Sequence, residues 1–206
     1  MIRIWGRTSS INVQKVMWTV AELGLPHERI DAGGAFGGLD GPDYAAMNPN
    51  RLIPVIRDGD TCVWESNSIV RYLAARYGQG ALWPEDPAHR SEADRWMDWQ
   101  LTIVQPAISP VFHGLVRTPP EKRDVAAIEA GAQRLVAAMR ILDAHLAGRA
   151  FVAGDALTMG DIPVGCACWR YANLAIARPE LPNILAYRAR LEARPGYRAH
   201  VMLPLT

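Results

Sequence analysis

Residues Gly78–Pro87, GQGALWPEDP, separate two kinds of sequence. Before them, short alternating runs that suit strands stand between helical patterns. After them, apolar residues recur only at helical spacing. A period of 2 and a period of 3.6 bury different faces of the chain, so the two parts cannot share one architecture. Residues 1–80 are therefore read as a small α/β domain and residues 86–206 as an all-α domain. The stretch rich in glycine and proline between them is the linker.

In the first part, IRIW (Ile2–Trp5) reads as a strand ended by Gly6. Val13, Val16, Met17, Val20 and Leu23 then mark a helix over Asn12–Leu23, stopped by Gly24 and Pro26. HERI (His27–Ile30) is a second strand, and DAGGAFGGLDGPD is expected to be a mobile surface loop. LIPVI (Leu52–Ile56), an RDGD turn and TCVW (Thr61–Trp64) read as a hairpin. A helix follows, with Ile69, Val70, Leu73, Ala74 and Tyr77 on one face. In the second part, a long helical segment from His89 to about Val116 contains Pro106 and Pro110, so a kink or break is expected. Glu121–Ala147 carries Val125, Ile128, Ala132, Leu135, Met139, Leu142 and Leu146 on one stripe, and helices near 160–175 and 183–193 complete the set.

Composition excludes several function classes. The 22 basic and 21 acidic residues nearly cancel, which argues against a nucleic-acid or acidic-membrane partner. No apolar run reaches the length of a membrane span, and MIRIWGRTSS has no signal-like apolar stretch. Cys62, Cys166 and Cys168 lack zinc or CxxC spacing; no metal is expected, and the thiols read as reduced and buried in a cytoplasmic protein.

Two features point to a ligand. Pro54 stands within a strand-like run, where proline removes a ladder donor. It marks either a plain edge strand or a cis Ile53–Pro54 bond that bends the strand and frees the Ile53 backbone for an extended peptide. Second, WESNSIVRYL opens a helix with Glu65, Ser66 and Asn67. Ser66 or Asn67 suits a cap, while free helix-start amides suit a carboxylate and Glu65 suits an ammonium group. Together they would answer both charges of an α-amino acid head.

NPNRLIPVIRDGDTCVWESNSIVRYLAARYG resembles the glutathione-binding segment of the cytosolic glutathione transferases, serine-type (theta- or phi-like) and bacterial in look. The order and size of both domains resemble that family too, and FVAGDALTMGDIPVG is similar to its folding signature, with Thr158 and Asp161 as a structural capping box. The resemblance implies a thioredoxin-like first domain that binds glutathione as co-substrate and a helical second domain that supplies the electrophile pocket. Glu65 and Ser66 would hold the γ-glutamyl head, and the Ile53 backbone beside cis-Pro54 would pair with the cysteinyl residue. The family's side chains for the glycyl carboxylate are missing: Leu39, Asp40, Gly41 and Leu52 stand at those places, leaving Arg51 for that role.

Activation of the glutathione thiol falls to the loop GRTSSINVQKV. A free thiol has a pKa of about 8.5, and lowering it by about two units requires roughly 2.7 kcal/mol in favour of the thiolate. A hydroxyl donating to sulfur at a helix start can supply that. Thr8, Ser9 and Ser10 compete; SINVQKV is similar to the serine-type pattern, which favours Ser10, then Ser9, with Asn12 as a supporting donor. A plain helix cap is the rival role for Ser10. Trp5, Trp96, Trp99, Phe112, His113, Trp169 and Tyr171 are the large side chains available to a pocket, and Phe112 and His113 are placed in its lining.

The resemblance implies conjugation of glutathione thiolate to small hydrophobic electrophiles, a detoxifying reaction, by a cytoplasmic homodimer joined across its third and fourth helices. Arg71, Arg76 and Tyr77 are available to that joint. Peroxidase, dehalogenase or isomerase chemistry uses the same first domain, and a non-catalytic interaction module is the rival from another class. A thiol–disulfide oxidoreductase is disfavoured, because no cysteine lies in the Gly6–Asn12 loop.

Overall fold

In a computed structural model describing residues 1–206, the first part consists of β1 (Ile2–Trp5), α1 (Ile11–Glu22), β2 (His27–Ile30), α2 (Pro42–Met47), β3 (Val55–Asp58), β4 (Thr61–Trp64) and α3 (Ser66–Tyr77). The sheet order is β2-β1-β3-β4. β1 runs parallel to β2, with α1 as the crossover, and antiparallel to β3; β3 and β4 form the expected hairpin, turning at Gly59 with φ +59°. The Gly-rich segment contains more regular structure than its composition predicts. A 3₁₀ turn spans Gly34–Phe36, and α2 starts at Pro42, where proline's fixed φ suits a first helical turn.

β3 begins at Val55, so Leu52, Ile53 and Pro54 precede the strand instead of lying in it. A residue without an N–H cannot open a ladder on both sides, and pairing starts just beyond it. The Ile53–Pro54 bond is cis.

The second part is helical: α4 (Pro87–Trp99), α5 (Gln105–Phe112), α6 (Val125–His145), α7 (Asp161–Asn173), α8 (Pro182–Glu192) and α9 (Pro195–His200). Of the kink or break expected at the prolines, no break occurs. The backbone stays helical from α4 to Arg117 through two wide π turns, Gln100–Val104 and His113–Arg117. The first ends two residues before Pro106, whose ring would otherwise meet the carbonyl four residues back. α9 was not anticipated, and Val125 and Tyr77 are exposed instead of buried on their stripes. Of the three free cysteines, Cys166 and Cys168 are buried and Cys62 is half-buried.

Asp161 is wholly buried, and its carboxylate accepts from Thr158 N, Thr158 Oγ1, Val152 N and Tyr187 Oη at 2.8–3.2 Å. Only half of the expected capping box forms. The Thr158 hydroxyl donates to the carboxylate, so it does not cap the Asp161 amide, which bonds to the Thr158 carbonyl at 3.1 Å.

No residue of α1 is exposed. Val13, Val16, Met17 and Val20 pack with Ile2, Ile4 and Ile56 of the sheet. Ile11 and Trp18 belong to the core of the helical part. Trp18 meets Tyr197 edge-on at 4.8 Å and donates to Glu22 at 2.7 Å; Arg194 holds that same carboxylate at 2.6 Å. Gly165 allows α7 this close, because a Cβ there would lie 2.9 Å from the Trp18 ring.

Lys15 sits at the seam of the two parts, fully buried with no carboxylate partner. Its ammonium donates to Asn67 Oδ1 at 3.2 Å and Gln100 Oε1 at 2.9 Å. Burial pushes its pKa down to about 8. Below that pH the ammonium is charged in both the folded and the unfolded chain, and its desolvation opposes folding. Between about 8 and the unfolded lysine's value near 10.4, only the unfolded chain holds the proton, so stability contributed here rises with pH. The unfolding free energy of wild type minus that of Lys15→Met should therefore grow by up to about 3 kcal/mol over that range. A pH-independent difference in denaturant unfolding would contradict it.

Candidate functional site

β1 leads into the loop of residues 6–10, which continues the parallel pairing through Gly6 N to Ile30 O at 2.9 Å and Arg7 N to Ala32 O at 3.1 Å. The chain then turns, Ser10 N donating to Arg7 O at 3.2 Å, and α1 begins. Ser10 occupies the N-cap position with extended backbone (φ −81°, ψ 124°), yet its hydroxyl makes no capping hydrogen bond. The hydroxyl is thus unspent at the positive end of a helix.

It faces a cavity of about 160 Å³ between the two parts of the chain. Ser10, Asn12, Phe112 and His113 all line that cavity. Ser9 does not; its carbonyl accepts from Arg170 Nη2 at 3.0 Å. Thr8 is turned elsewhere, its carbonyl held by Gln14 Nε2 at 3.1 Å. Ile11, Ile108 and Phe112 are the apolar members of the lining, so the wall is chiefly polar where a hydrophobic electrophile was expected.

Arg51, Ile53, Pro54, Glu65 and Ser66 lie outside this lining. Neither the amide nor the carbonyl of Ile53 is bonded within the chain. Glu65 precedes α3 with φ +68°, and Ser66 is the first residue of that helix, so neither Ser66 nor Asn67 is the cap. Asn67 instead donates across the seam to Met97 O at 3.0 Å and accepts from Lys15. A positive φ at a non-glycine residue is uncommon and clusters at functional sites. Arg51 shares that feature, with φ +53°. Its guanidinium is 3.9 Å from Asp40 at side-chain exposures of 51% and 95%, a contact too solvated to hold it.

Several residues at the site escape sequence reasoning. Asn48 is buried, donates to Leu52 O at 2.8 Å and accepts from Asn50 N at 3.0 Å, so it shapes the turn that presents Ile53. Arg7, Arg117 and Arg170 also line the cavity. Arg170 and Arg117 stack on the ring of Phe112 at 4.1 and 4.9 Å. Burial, then the neighbouring cations, lowers Arg170 to about 10. Burial followed by Arg117 and Arg170 lowers His113, which favours a neutral imidazole at neutral pH. One sign was readable: Arg170 is a lone charge within the apolar run of α7.

Residues 9–76 match the family model described as "Glutathione S-transferase, N-terminal domain", and residues 125–200 match "Glutathione S-transferase, C-terminal domain". The chain is 45% identical over 208 residues to glutathione S-transferase GstB of Escherichia coli (strain K12), covering 100% of each. It is 29% identical over 195 residues to glutathione S-transferase 3 of Zea mays, covering 93% of this chain and 86% of that one. Among solved structures it resembles the theta class glutathione S-transferase from the citrus canker pathogen Xanthomonas axonopodis pv. citri with glutathione bound, at TM-score 0.96 and 44% identity, covering 100% of this chain and 99% of that one. The chain belongs to the glutathione S-transferase family and is an enzyme of that class.

Asn48→Ala should lower stability by about 2 kcal/mol, because the Asn50 amide loses its acceptor and Leu52 O loses one of two donors. Thermal unfolding measures it, and an unchanged midpoint would contradict the anchoring role.

Proposed function

We propose that the protein conjugates the thiolate of glutathione to small electrophiles, with the Ser10 hydroxyl donating to the sulfur. The observation that carries this reading is the unspent hydroxyl at the start of α1, aimed at a cavity that both domains wall. Asn12 beside it is the supporting donor, and Ser9, outside the lining, ranks behind. The sulfur gains from a charge-assisted hydrogen bond and from the helix end, both of which favour thiolate over thiol.

The rest of glutathione is assigned to the first domain. The free amide and carbonyl of Ile53 are suited to the cysteinyl residue in strand fashion, beside Pro54. The α3 start, with no side chain capping its amides, suits the γ-glutamyl carboxylate together with Ser66, and exposed Glu65 suits the ammonium. Arg51 is assigned to the glycyl carboxylate; its loose contact with Asp40 leaves it available. Phe112 and His113 border the electrophile. A cytoplasmic homodimer with a detoxifying role is part of the same reading. Three unpaired cysteines favour a reducing compartment, and exposed Leu101 and Ile103 favour a partner for the helical part. No helix is long and apolar enough to cross a membrane. Within the chain, Arg71 pairs with Asp94 and Asp98, and Arg76 with Asp58.

Ultraviolet titration of the glutathione complex measures the thiol directly. Ser10→Ala should raise the bound thiol pKa by up to about two units and lower turnover at neutral pH by up to roughly 25-fold, as the thiolate fraction falls, with glutathione affinity nearly kept. An unchanged thiol pKa would remove Ser10 from the role. Glu65→Gln should instead weaken glutathione binding by roughly ten- to a hundredfold, read by calorimetry, with the thiol pKa of the complex unchanged. Undiminished binding would contradict its assignment.

A further inference from the structure

We infer that the cavity beside Ser10 is a site for a small electrophile bearing a carboxylate, received by the guanidinium groups of Arg7, Arg117 and Arg170. The inference rests on the reading that places the glutathione sulfur at Ser10, and it specifies the co-substrate.

The three arginines reach the cavity from separate places: the loop after β1, the π turn after α5, and α7. None of them is paired with an aspartate or glutamate. Arg117 donates only to Thr206 O, at 3.4 Å. Arg170 is 6% exposed, so its charge is largely withdrawn from water. Its partners are one backbone carbonyl and the face of Phe112, and its Nε has no acceptor. Like charges gathered with no aspartate or glutamate paired to them oppose one another. Accordingly, Arg117 is depressed by burial and then by Arg7, and Arg170 feels both of the others.

An anion in the cavity would resolve this conflict. A carboxylate matches the planar, paired donors of a guanidinium. The ring of Phe112 is shared by two of the guanidiniums, Arg117 and Arg170. Size points the same way. A cavity of about 160 Å³ is small beside the roughly 300–1,000 Å³ of drug-sized ligand pockets, which suits a small acid. The glutathione carboxylates are assigned to the α3 start and Arg51, outside the lining, so they do not use these arginines.

In the reaction, glutathione loses its thiol proton to solvent, and the sulfur forms a bond to the electrophilic carbon. A halide leaves with the electrons of the broken bond. The carboxylate is unchanged; it orients the carbon towards the sulfur and satisfies the arginines.

Iodoacetate and iodoacetamide test this, being nearly equal in size and differing in charge. After subtraction of the uncatalysed rates, wild type should prefer iodoacetate. Arg7→Gln and Arg117→Gln, at the less buried positions, should each lower kcat/KM for iodoacetate roughly tenfold, mainly through KM, with iodoacetamide nearly unaffected. The absorbance of bound thiolate should stay as in wild type. A wild type that prefers the amide, or treats both alike, would overturn the inference. So would equal losses for both substrates with a raised thiol pKa, since the arginines would then serve the sulfur. Failure of the underlying reading is separate: wild type would show no thiolate absorbance on adding glutathione, or Ser10→Ala would leave it unchanged.

Discussion

The burial of α1 by both domains is the constraint on which the rest of the molecule depends. A crossover helix covers one face of a sheet and ordinarily keeps its other face in water. Here the outward face carries Ile11, Lys15 and Trp18 into the helical domain, so one twelve-residue element belongs to two cores. Its N-terminus is thereby held at the seam, which sets Ser10 opposite Phe112 and His113. Lys15 extends this coupling. From its ammonium the hydrogen bonds pass to Gln100, from Gln100 to Gln105 at 3.2 Å, and from Gln105 to Ser109 at 3.0 Å, in the cavity wall. The π turn at Gln100–Val104 gives this segment its phase.

Electrostatics at the seam runs against the balance of the whole chain. The net charge is +1, yet Lys15 and Arg170 are both withdrawn from water here without acids. Cys166 does not neutralise them, because burial pushes its thiol up to about 12. A seam left cationic, with no aspartate or glutamate paired to these groups, suits a site that handles anions. Desolvating such charges costs stability, and the hydrophobic contacts of Trp18, Tyr197 and the α7 helix offset it.

The parts of the fold that were legible in the sequence depend on local signals. The hairpin shows in RDGD between two apolar runs, the helical domain in its 3.6 period, and the Ser10 loop in the residues before α1. The parts that were not legible depend on distant partners. α2 follows glycines that mask it, and α9 is six residues long, too short for a period to show. Tyr77 has the right spacing to be buried, but its hydroxyl reaches Asp58 at 2.7 Å and keeps it at the surface. The arginine cluster is spread over more than 160 positions, from Arg7 to Arg170, and only the folded chain gathers it. Asn67 reads as a cap because caps are local, whereas its partners lie in α1 and α4.

Native-state hydrogen exchange of the α1 amides tests the shared helix most directly. If α1 is common to both cores, its slowest amides exchange only through global unfolding, with the same free energy as the slowest amides of α7. If the α1 amides exchange at a lower free energy together with β1 and β2 while α7 stays protected, the first domain opens on its own. In that case the account of one helix binding both cores is wrong.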